Sequence, residues 1–349
     1  IESTPGAVLL SPAYRQTWFP GSSFKIVTSA AAYDHDPALT TKVYPTLAAL
    51  HLPQTTQQLH NFGGEVCGGQ ILQNFTVSCD TAYGQMGLDL GAQNLFDEAH
   101  AFGFDQTPPL DLPGPARSNF PTASSFAQAL PTLAYSAIGQ EDVTATPLQM
   151  ALVAAGIADK GTIMTPHILD HVTNSQNQVV STYQPSKWLQ ATSPATAAQI
   201  TTLMESVVNA PDGTGTAAAI PGVQVAGKTG TAQTGTGHTD DWFVAFAPAQ
   251  NPTIAVSVVL PDQGSASDIQ GGTLAAPIAR AIIQADLAGA PANANAPATT
   301  APTTAAPATT VPPSPAPTTP VPTSPPPATA PPITGPAPSP TSRTTPTTK

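Results

Sequence analysis

The stretch at residues 18–25 reads WFPGSSFK and opens the most informative part of the chain. Pro20 and Gly21 interrupt the backbone immediately before Ser22. Apolar residues follow at helical spacing, at Phe24, Ile26, Val27, Ala30 and Ala31. This pattern predicts a helix that begins at Ser22. Ser22 and Lys25 are three residues apart, so they lie on one face of that helix.

The combination of Ser22 and Lys25 suits nucleophilic catalysis. A serine hydroxyl attacks poorly until a base removes its proton, and a lysine in a dry site acts as that base when its pKa is depressed. In the first turn of a helix, the Ser22 N–H has no partner within the helix and can donate to an oxyanion. The alternative is an ordinary N-cap serine beside an exposed lysine.

A second candidate stretch lies far along the chain. Residues 228–231 read KTGT and follow a strand predicted at Val223–Ala226. On an edge strand, Gly230 allows a substrate backbone to approach closely, and Lys228 with the two threonine hydroxyls can hold a carboxylate. The alternative is the solvated end of a hairpin.

Two other patterns suggest sites that their context argues against. Residues 222–229 fit the phosphate-loop pattern, which requires a strand before its first glycine and a helix at its lysine. Here β-prone residues lie between the two glycines, and a Gly/Thr-rich run follows.

His167 and His171 fall in a predicted strand, Met164–Val172, without a carboxylate partner, which favours a structural or solvent role over metal binding. We therefore expect no metal site.

Composition separates the chain into two parts. The 349 residues carry a formal net charge of −11, which argues against a nucleic acid or an anionic membrane as partner. From Pro291 onward Pro, Thr, Ala and Ser dominate, and only Arg343 and Lys349 are charged. Such a segment cannot bury enough apolar surface to offset its ordering entropy. We predict a folded domain at residues 1–289 and a disordered Pro/Thr/Ala-rich tail at 290–349.

The predicted elements indicate the α+β class. Helices are predicted at 22–31, 72–86, 92–101, 146–161, 194–209 and 273–287. Strands are predicted at 6–10, 164–172, 179–183, 223–226, 242–247 and 253–260. Late antiparallel strands bracketed by helices, around a helical middle, favour an antiparallel sheet flanked by helices with a helical subdomain over a parallel sheet.

Several motifs together resemble the transpeptidase domain of class B penicillin-binding proteins, and among these the actinobacterial penicillin-binding protein A type. A Ser-x-x-Lys element, a second serine triplet and a Lys-Thr-Gly triplet occur in that order. The matching stretches are 18–25 (WFPGSSFK), 61–64 (NFGG), 78–83 (SCDTAY), 138–140 (IGQ), 146–149 (TPLQ) and 227–233 (GKTGTAQ). The resemblance covers most of residues 6–287 and implies a penicillin-binding transpeptidase/β-lactamase-like fold.

The resemblance implies a serine D,D-transpeptidase that cross-links peptidoglycan stem peptides ending in D-Ala-D-Ala and is acylated by β-lactams. In that activity Ser22 is acylated, Lys25 removes its proton, and Ser78 relays the proton to the leaving group. The N–H groups of Ser22 and Thr231 form the oxyanion hole. The substrate carboxylate binds at Lys228, Thr229, Gly230 and Thr231.

The resemblance also implies no metal or cofactor, and an extracytoplasmic location with a membrane anchor in a segment not present in this chain. The cell-wall synthesis machinery is the expected protein partner. An exterior location favours a disulfide between Cys67 and Cys79 over two buried thiols. That bond closes a loop of about a dozen residues and adds roughly 3 kcal/mol to stability. Zinc would require more Cys or His ligands nearby.

Two departures from the family are evident. The second motif ends in Asp80 where the family has Asn. A carboxylate about 4 Å from Lys25 favours the ammonium form by up to roughly 4 kcal/mol at an effective dielectric near 20. Either Asp80 is protonated and imitates the amide, or Lys228 and the helix N-terminus offset its charge, or the enzyme is slow. The second departure is a short segment at 11–21 and a missing upstream domain, so we expect an N-terminally truncated domain.

Two alternative functions remain. A serine β-lactamase or D,D-carboxypeptidase needs a base to hydrolyse the acyl-enzyme, and Glu141 is the nearest candidate by position. A catalytically impaired penicillin-fold protein that senses or scaffolds the cell wall is the other, motivated by Asp80 and the short N-terminal segment.

Overall fold

A computed structural model describes residues 11–235, 237–264 and 270–289. The chain divides into a unit at Ile1–Asn293 and a unit at Ala294–Lys349, and every described residue belongs to the first. The strand predicted at 6–10 and the tail predicted at 290–349 therefore lie outside the described residues. No helix in the described ranges is long and apolar enough to cross a membrane.

The described residues combine helices with short and long strands. The helices are α1 Pro12–Arg15, α2 Lys25–His35, α3 Ala38–Thr41, α4 Ile71–Thr76, α5 Asp80–Ala101, α6 Leu130–Ser136, α7 Pro147–Ala158, α8 Pro194–Asn209 and α9 Ala275–Gly289. The strands are β1 Tyr44–Leu47, β2 Ala49–His51, β3 Gln58–His60, β4 Cys67–Gly69, β5 Thr162–Met164, β6 His171–Thr173, β7 Val179–Thr182, β8 Lys187–Gln190, β9 Ala226–Gln233, β10 Thr239–Ala247 and β11 Ile254–Gln263.

The long strands form an antiparallel sheet in the order β11-β10-β9. The shorter strands pair as β1-β4, β2-β3, β5-β8 and β6-β7. All nine residues of β10 are buried, and its apolar run from Trp242 to Ala247 is typical of a strand that is covered on both faces. This arrangement matches the expected antiparallel sheet flanked by helices.

Strand β10 divides the core because its alternate side chains point to opposite faces. Trp242, Val244 and Phe246 join the larger cluster, which also contains the apolar residues of α2. Phe243 and Ala245 join a smaller cluster with α9. Helix α2 is buried from Lys25 to Ala32 and contacts α5 and α8. The sheet therefore lies between α9 on one side and a helical layer on the other.

The structure corrects the helix predicted at 72–86. Helix α4 ends at Thr76 and α5 begins at Asp80, with Ser78 between them at φ +61°. A residue in this left-handed region cannot continue a right-handed helix. The helix break places the second serine triplet at the start of α5.

Two strand predictions are also wrong. The strand expected at 223–226 begins only at Ala226 and continues through the KTGT stretch to Gln233. The strand expected at 164–172 consists of the ends of β5 and β6 with a loop between them, and His167 in that loop stacks on the Tyr183 ring. His171 has a carboxylate neighbour after all, since its Nδ1 lies 2.7 Å from an Asp170 oxygen.

A disulfide joins Cys67 on β4 to Cys79, the residue before α5. Replacing both by Ala should lower the free energy of unfolding by about 3 kcal/mol, because the 12-residue separation no longer restricts the unfolded chain. Thermal or urea unfolding measures the change. Wild-type protein in reductant should match the double variant, which should itself be insensitive to reductant. Equal stability with and without the bond would contradict this prediction.

Candidate active site

Ser22 lies in a 3₁₀ turn, Gly21–Phe24, that leads directly into α2. The predicted helix therefore starts with a tighter turn than expected. Gly21 has φ +50°, and its N–H donates to the Gly139 carbonyl at 2.9 Å. The turn is thereby fastened to the loop after α6.

Lys25 begins α2 and is completely buried. Its Nζ donates to the Ser78 carbonyl and to Asp80 Oδ1, each at 2.7 Å, and lies 3.3 Å from Ser78 Oγ. Burial lowers the pKa of Lys25, and the Asp80 carboxylate opposes this by charge and hydrogen bonding. Burial outweighs the carboxylate, so the direction is the one that a lysine base requires.

Asp80 links Ser22 to Lys25. Its Oδ1 accepts from Ser22 Oγ at 3.3 Å as well as from Lys25, and its Oδ2 accepts from the Phe62 N–H at 3.2 Å. Ser22 and Lys25 therefore meet at one carboxylate oxygen. The ion pair between Asp80 and Lys25 anticipated from the sequence is present, at 2.7 Å.

Lys228 approaches the same serine motif from β9. Its Nζ donates to Ser78 Oγ at 2.8 Å and to the Thr229 carbonyl at 3.0 Å, and the side chain is fully buried. The pKa of Lys228 lies well below its ordinary value because of burial and, secondarily, the charge of Lys25, with Asp80 opposing both. Ser78 Oγ consequently lies between two buried amines.

The remaining KTGT residues form the edge of the sheet beside Ser22. A Cβ on Gly230 would lie 2.6 Å from the Pro20 carbonyl oxygen, so only glycine allows this contact. Thr229 Oγ1 shares a hydrogen bond of 2.7 Å with Thr214 Oγ1. Thr231 Oγ1 accepts from the Gly271 N–H at 3.2 Å.

These residues surround one cleft of about 300 Å³, which Ser22, Ser78, Asp80, Thr229 and Thr231 all line. Sequence reasoning missed Thr214, which also lines the cleft; an isolated threonine between two glycines carries no distinguishing signal.

Glu141 lies in a separate depression with Phe19 and Asn119 and does not line the cleft. The hydrolytic alternative therefore lacks the base suggested for it. Among the described residues, no three His, Cys, Asp or Glu side chains are grouped for metal binding.

The chain resembles a known protein family over most of its length. Residues 3–284 match the model of the penicillin binding protein transpeptidase domain. Peptidoglycan D,D-transpeptidase PbpA of Mycolicibacterium smegmatis is 39% identical over 296 residues, which are 82% of this chain and 58% of that protein. The chain thus spans less than two thirds of this relative.

Solved structures agree in fold. The crystal structure of PBPA from Mycobacterium tuberculosis has a TM-score of 0.73 and 36% identity, covering 82% of this chain and 65% of that one. The penicillin G acyl-enzyme complex of the M. tuberculosis protein has a TM-score of 0.74, with the same identity and coverage. The predicted α+β penicillin-binding transpeptidase fold is confirmed. The chain belongs to the penicillin-binding protein transpeptidase family.

Proposed function

We propose that this chain carries the transpeptidase domain of a peptidoglycan D,D-transpeptidase, within the predicted boundaries of residues 1–289. The observation that carries the proposal is the convergence on one cleft of the Ser22 hydroxyl, Ser78 with two buried amines behind it, and the edge of β9. The substrate is a stem peptide ending in D-Ala-D-Ala, and β-lactams acylate the same serine.

In the first half-reaction, Ser22 Oγ bonds to the carbonyl carbon of the penultimate D-Ala as its proton passes to Lys25. The lowered pKa of Lys25 supports this role. The oxyanion accepts hydrogen bonds from the N–H groups of Ser22 and Thr231, an arrangement in which one donor is worth about 3 kcal/mol. The C–N bond then breaks, and the ester to Ser22 remains.

Ser78 is suited to carry a proton to the departing D-Ala amine. Its hydroxyl lies 3.3 Å from Lys25 Nζ and 2.8 Å from Lys228 Nζ, so it can accept from one ammonium while it donates to the leaving group. In the second half-reaction the steps reverse. The amine of another stem peptide attacks the ester, loses its proton through the same groups, and releases Ser22.

The carboxylate of the terminal D-Ala binds at the KTGT strand. Lys228 provides an amine donor behind the strand, and Thr229 and Thr231 provide hydroxyl donors. The hydrogen bond between Thr214 and Thr229 orients the Thr229 hydroxyl toward the cleft wall.

The proposal includes a location outside the cytoplasm, where peptidoglycan is cross-linked. The Cys67–Cys79 disulfide supports it, because such bonds persist in oxidising compartments. Attachment to the membrane through a segment outside this chain and association with the cell-wall synthesis machinery belong to the same proposal.

Ser22→Ala tests the nucleophile. After incubation with penicillin, intact-mass spectrometry should find wild-type protein heavier by one drug molecule and the variant unchanged. Ser23→Ala is the matched control, because the neighbouring Ser23 is buried and donates to the Pro20 carbonyl. This control should retain the adduct. An adduct that survives in Ser22→Ala, or none on the wild type, defeats the proposal.

Asp80→Asn tests the electrostatic role of the carboxylate. The carboxylate raises the pKa of Lys25, so its removal should lower that pKa and leave more of the lysine neutral at pH 7. Acylation by a fluorescent penicillin should accelerate by roughly tenfold, which corresponds to about 1.4 kcal/mol. The rate should rise with pH as Lys25 loses its proton, and the variant should show this rise at lower pH.

Asp89→Asn is the control for this measurement, because it removes a carboxylate from the same helix at its pair with Lys42 near the surface. Its rate and pH profile should equal those of the wild type. An unchanged or slower rate in Asp80→Asn would show that the carboxylate does not restrain Lys25.

A further inference from the structure

Part of the main-chain edge of β9 is occupied by a side chain. Within the described residues, β9 pairs with β10 on one side only. On the other side, with its amide oriented to satisfy both partners, Gln140 accepts from the Gln233 N–H at 3.0 Å and donates to the Gln233 carbonyl at 3.2 Å. A glutamine amide in this position imitates the peptide group of an added strand.

A second main-chain group on this edge is already hydrogen-bonded to a side chain. The Thr229 carbonyl accepts from Lys228 Nζ at 3.0 Å. Alternate residues of a strand direct their N–H and C=O groups to the same side, so Thr231 faces this edge as well. No other described residue binds the Thr231 main chain there. The free edge of β9 is thus open at Thr231, whereas main-chain groups at Thr229 and Gln233 are already hydrogen-bonded to side chains.

The open position lies beside the nucleophile. A Cβ on Gly21 would be 3.1 Å from the Thr231 carbonyl carbon, so the Ser22 turn is in direct contact with this part of β9. An extended peptide that adds to a sheet edge pairs with alternate residues. Pairing at Thr231 would therefore continue to Gln233, where Gln140 already occupies both groups.

The direction of the substrate follows from the proposed function, on which this inference rests. Its carboxylate binds near Lys228 and Thr229, and its reactive carbonyl meets Ser22 and Thr231. The chain preceding that carbonyl must then extend toward Gln233. We propose that Gln140 is a specificity-determining residue that ends main-chain pairing of the acyl donor after Thr231.

The position of Gln140 is fixed by its loop. Its N–H donates to the Tyr135 carbonyl at 3.0 Å, and the preceding Gly139 has φ +74°. A Cβ on Gly139 would lie 2.2 Å from the Gly21 carbonyl oxygen, so this loop contacts the Ser22 turn directly. Gln140 consequently occupies the edge at a fixed position relative to the nucleophile. Upstream residues of the donor must leave β9, and this strand does not recognise their main chain.

Two acyl donors distinguish this role from a structural one. The short donor is an N-acetyl-D-alanyl thioester, and the long donor carries two further residues before the D-Ala, enough to reach Gln233. The measured quantity is the ratio of their second-order acylation rate constants. This ratio should be near one in the wild-type chain. Gln140→Ala should raise it roughly tenfold, the effect expected for a pair of new main-chain hydrogen bonds.

Gln140→Asn provides a second test, because its side chain is one methylene too short to bind both Gln233 groups, and it should raise the ratio similarly. Gln58→Ala is the matched control. It removes an amide that lines the same cleft and contacts His51, away from β9, and it should leave the ratio unchanged.

The outcomes separate this inference from the proposed function. If the wild type is acylated by neither thioester nor penicillin, the proposed function fails. If the variants are acylated but both rate constants fall in parallel, Gln140 only supports the loop and the inference is overturned. A wild-type ratio already near ten would overturn it as well, because the long donor would then pair beyond Thr231.

Discussion

The contact between the Ser22 turn and β9 is the constraint on which the site depends. Gly21 and Gly230 lie where a Cβ on either residue would meet the opposing backbone within about 3 Å. Trp242 on the neighbouring strand reinforces the contact, since its Nε1 donates to the Phe19 carbonyl at 2.8 Å. Because the two backbones touch, the N–H groups of Ser22 and Thr231 belong to one cleft wall. A side chain at either glycine would separate them.

A second consequence of this packing is the burial of two lysines beside each other. Transferring a charged amine from water into the protein interior costs several kcal/mol unless hydrogen-bond acceptors surround it. Ser78 provides two acceptors, its carbonyl for Lys25 and its hydroxyl for Lys228, because its left-handed backbone turns both toward the cleft. The adjacent disulfide through Cys79 holds this strained segment. Burial lowers the pKa of both amines, while these acceptors keep each amine hydrogen-bonded.

The sequence predicted the components of the site better than their arrangement. Ser22, Lys25 and the KTGT stretch were found because their chemistry is encoded in short spacings. The helix predicted to start at 146 was also found, because its start is set locally: the Thr146 side chain caps α7 by accepting from the Gln149 N–H at 3.0 Å. The start of β9 was not predicted. Gly and Lys have low strand propensity, and only pairing with β10 makes this stretch extended.

Two other features could not be predicted from the sequence either. The break at Ser78 depends on a backbone conformation that no local residue preference announces, since serine rarely adopts positive φ. The contact of Gln140 with Gln233 joins residues that are far apart in sequence, and the glutamine stood out only as part of a family motif. An uncommon local backbone conformation hid the first feature, and distance along the chain hid the second.

The carboxylate of Asp80 is best understood from the donors around it. Ser22 and Lys25 donate to one of its oxygens and the Phe62 N–H donates to the other. A carboxylate satisfies all three because it only accepts, whereas an amide would direct its NH₂ group at one of these donors. An asparagine here would therefore lose one hydrogen bond, worth about 1 kcal/mol, while relieving the charge that holds a proton on Lys25. Asp80 thus completes the hydrogen bonds at the junction of the Ser22 turn, α2, α5 and the Phe62 loop, while its charge raises the pKa of Lys25.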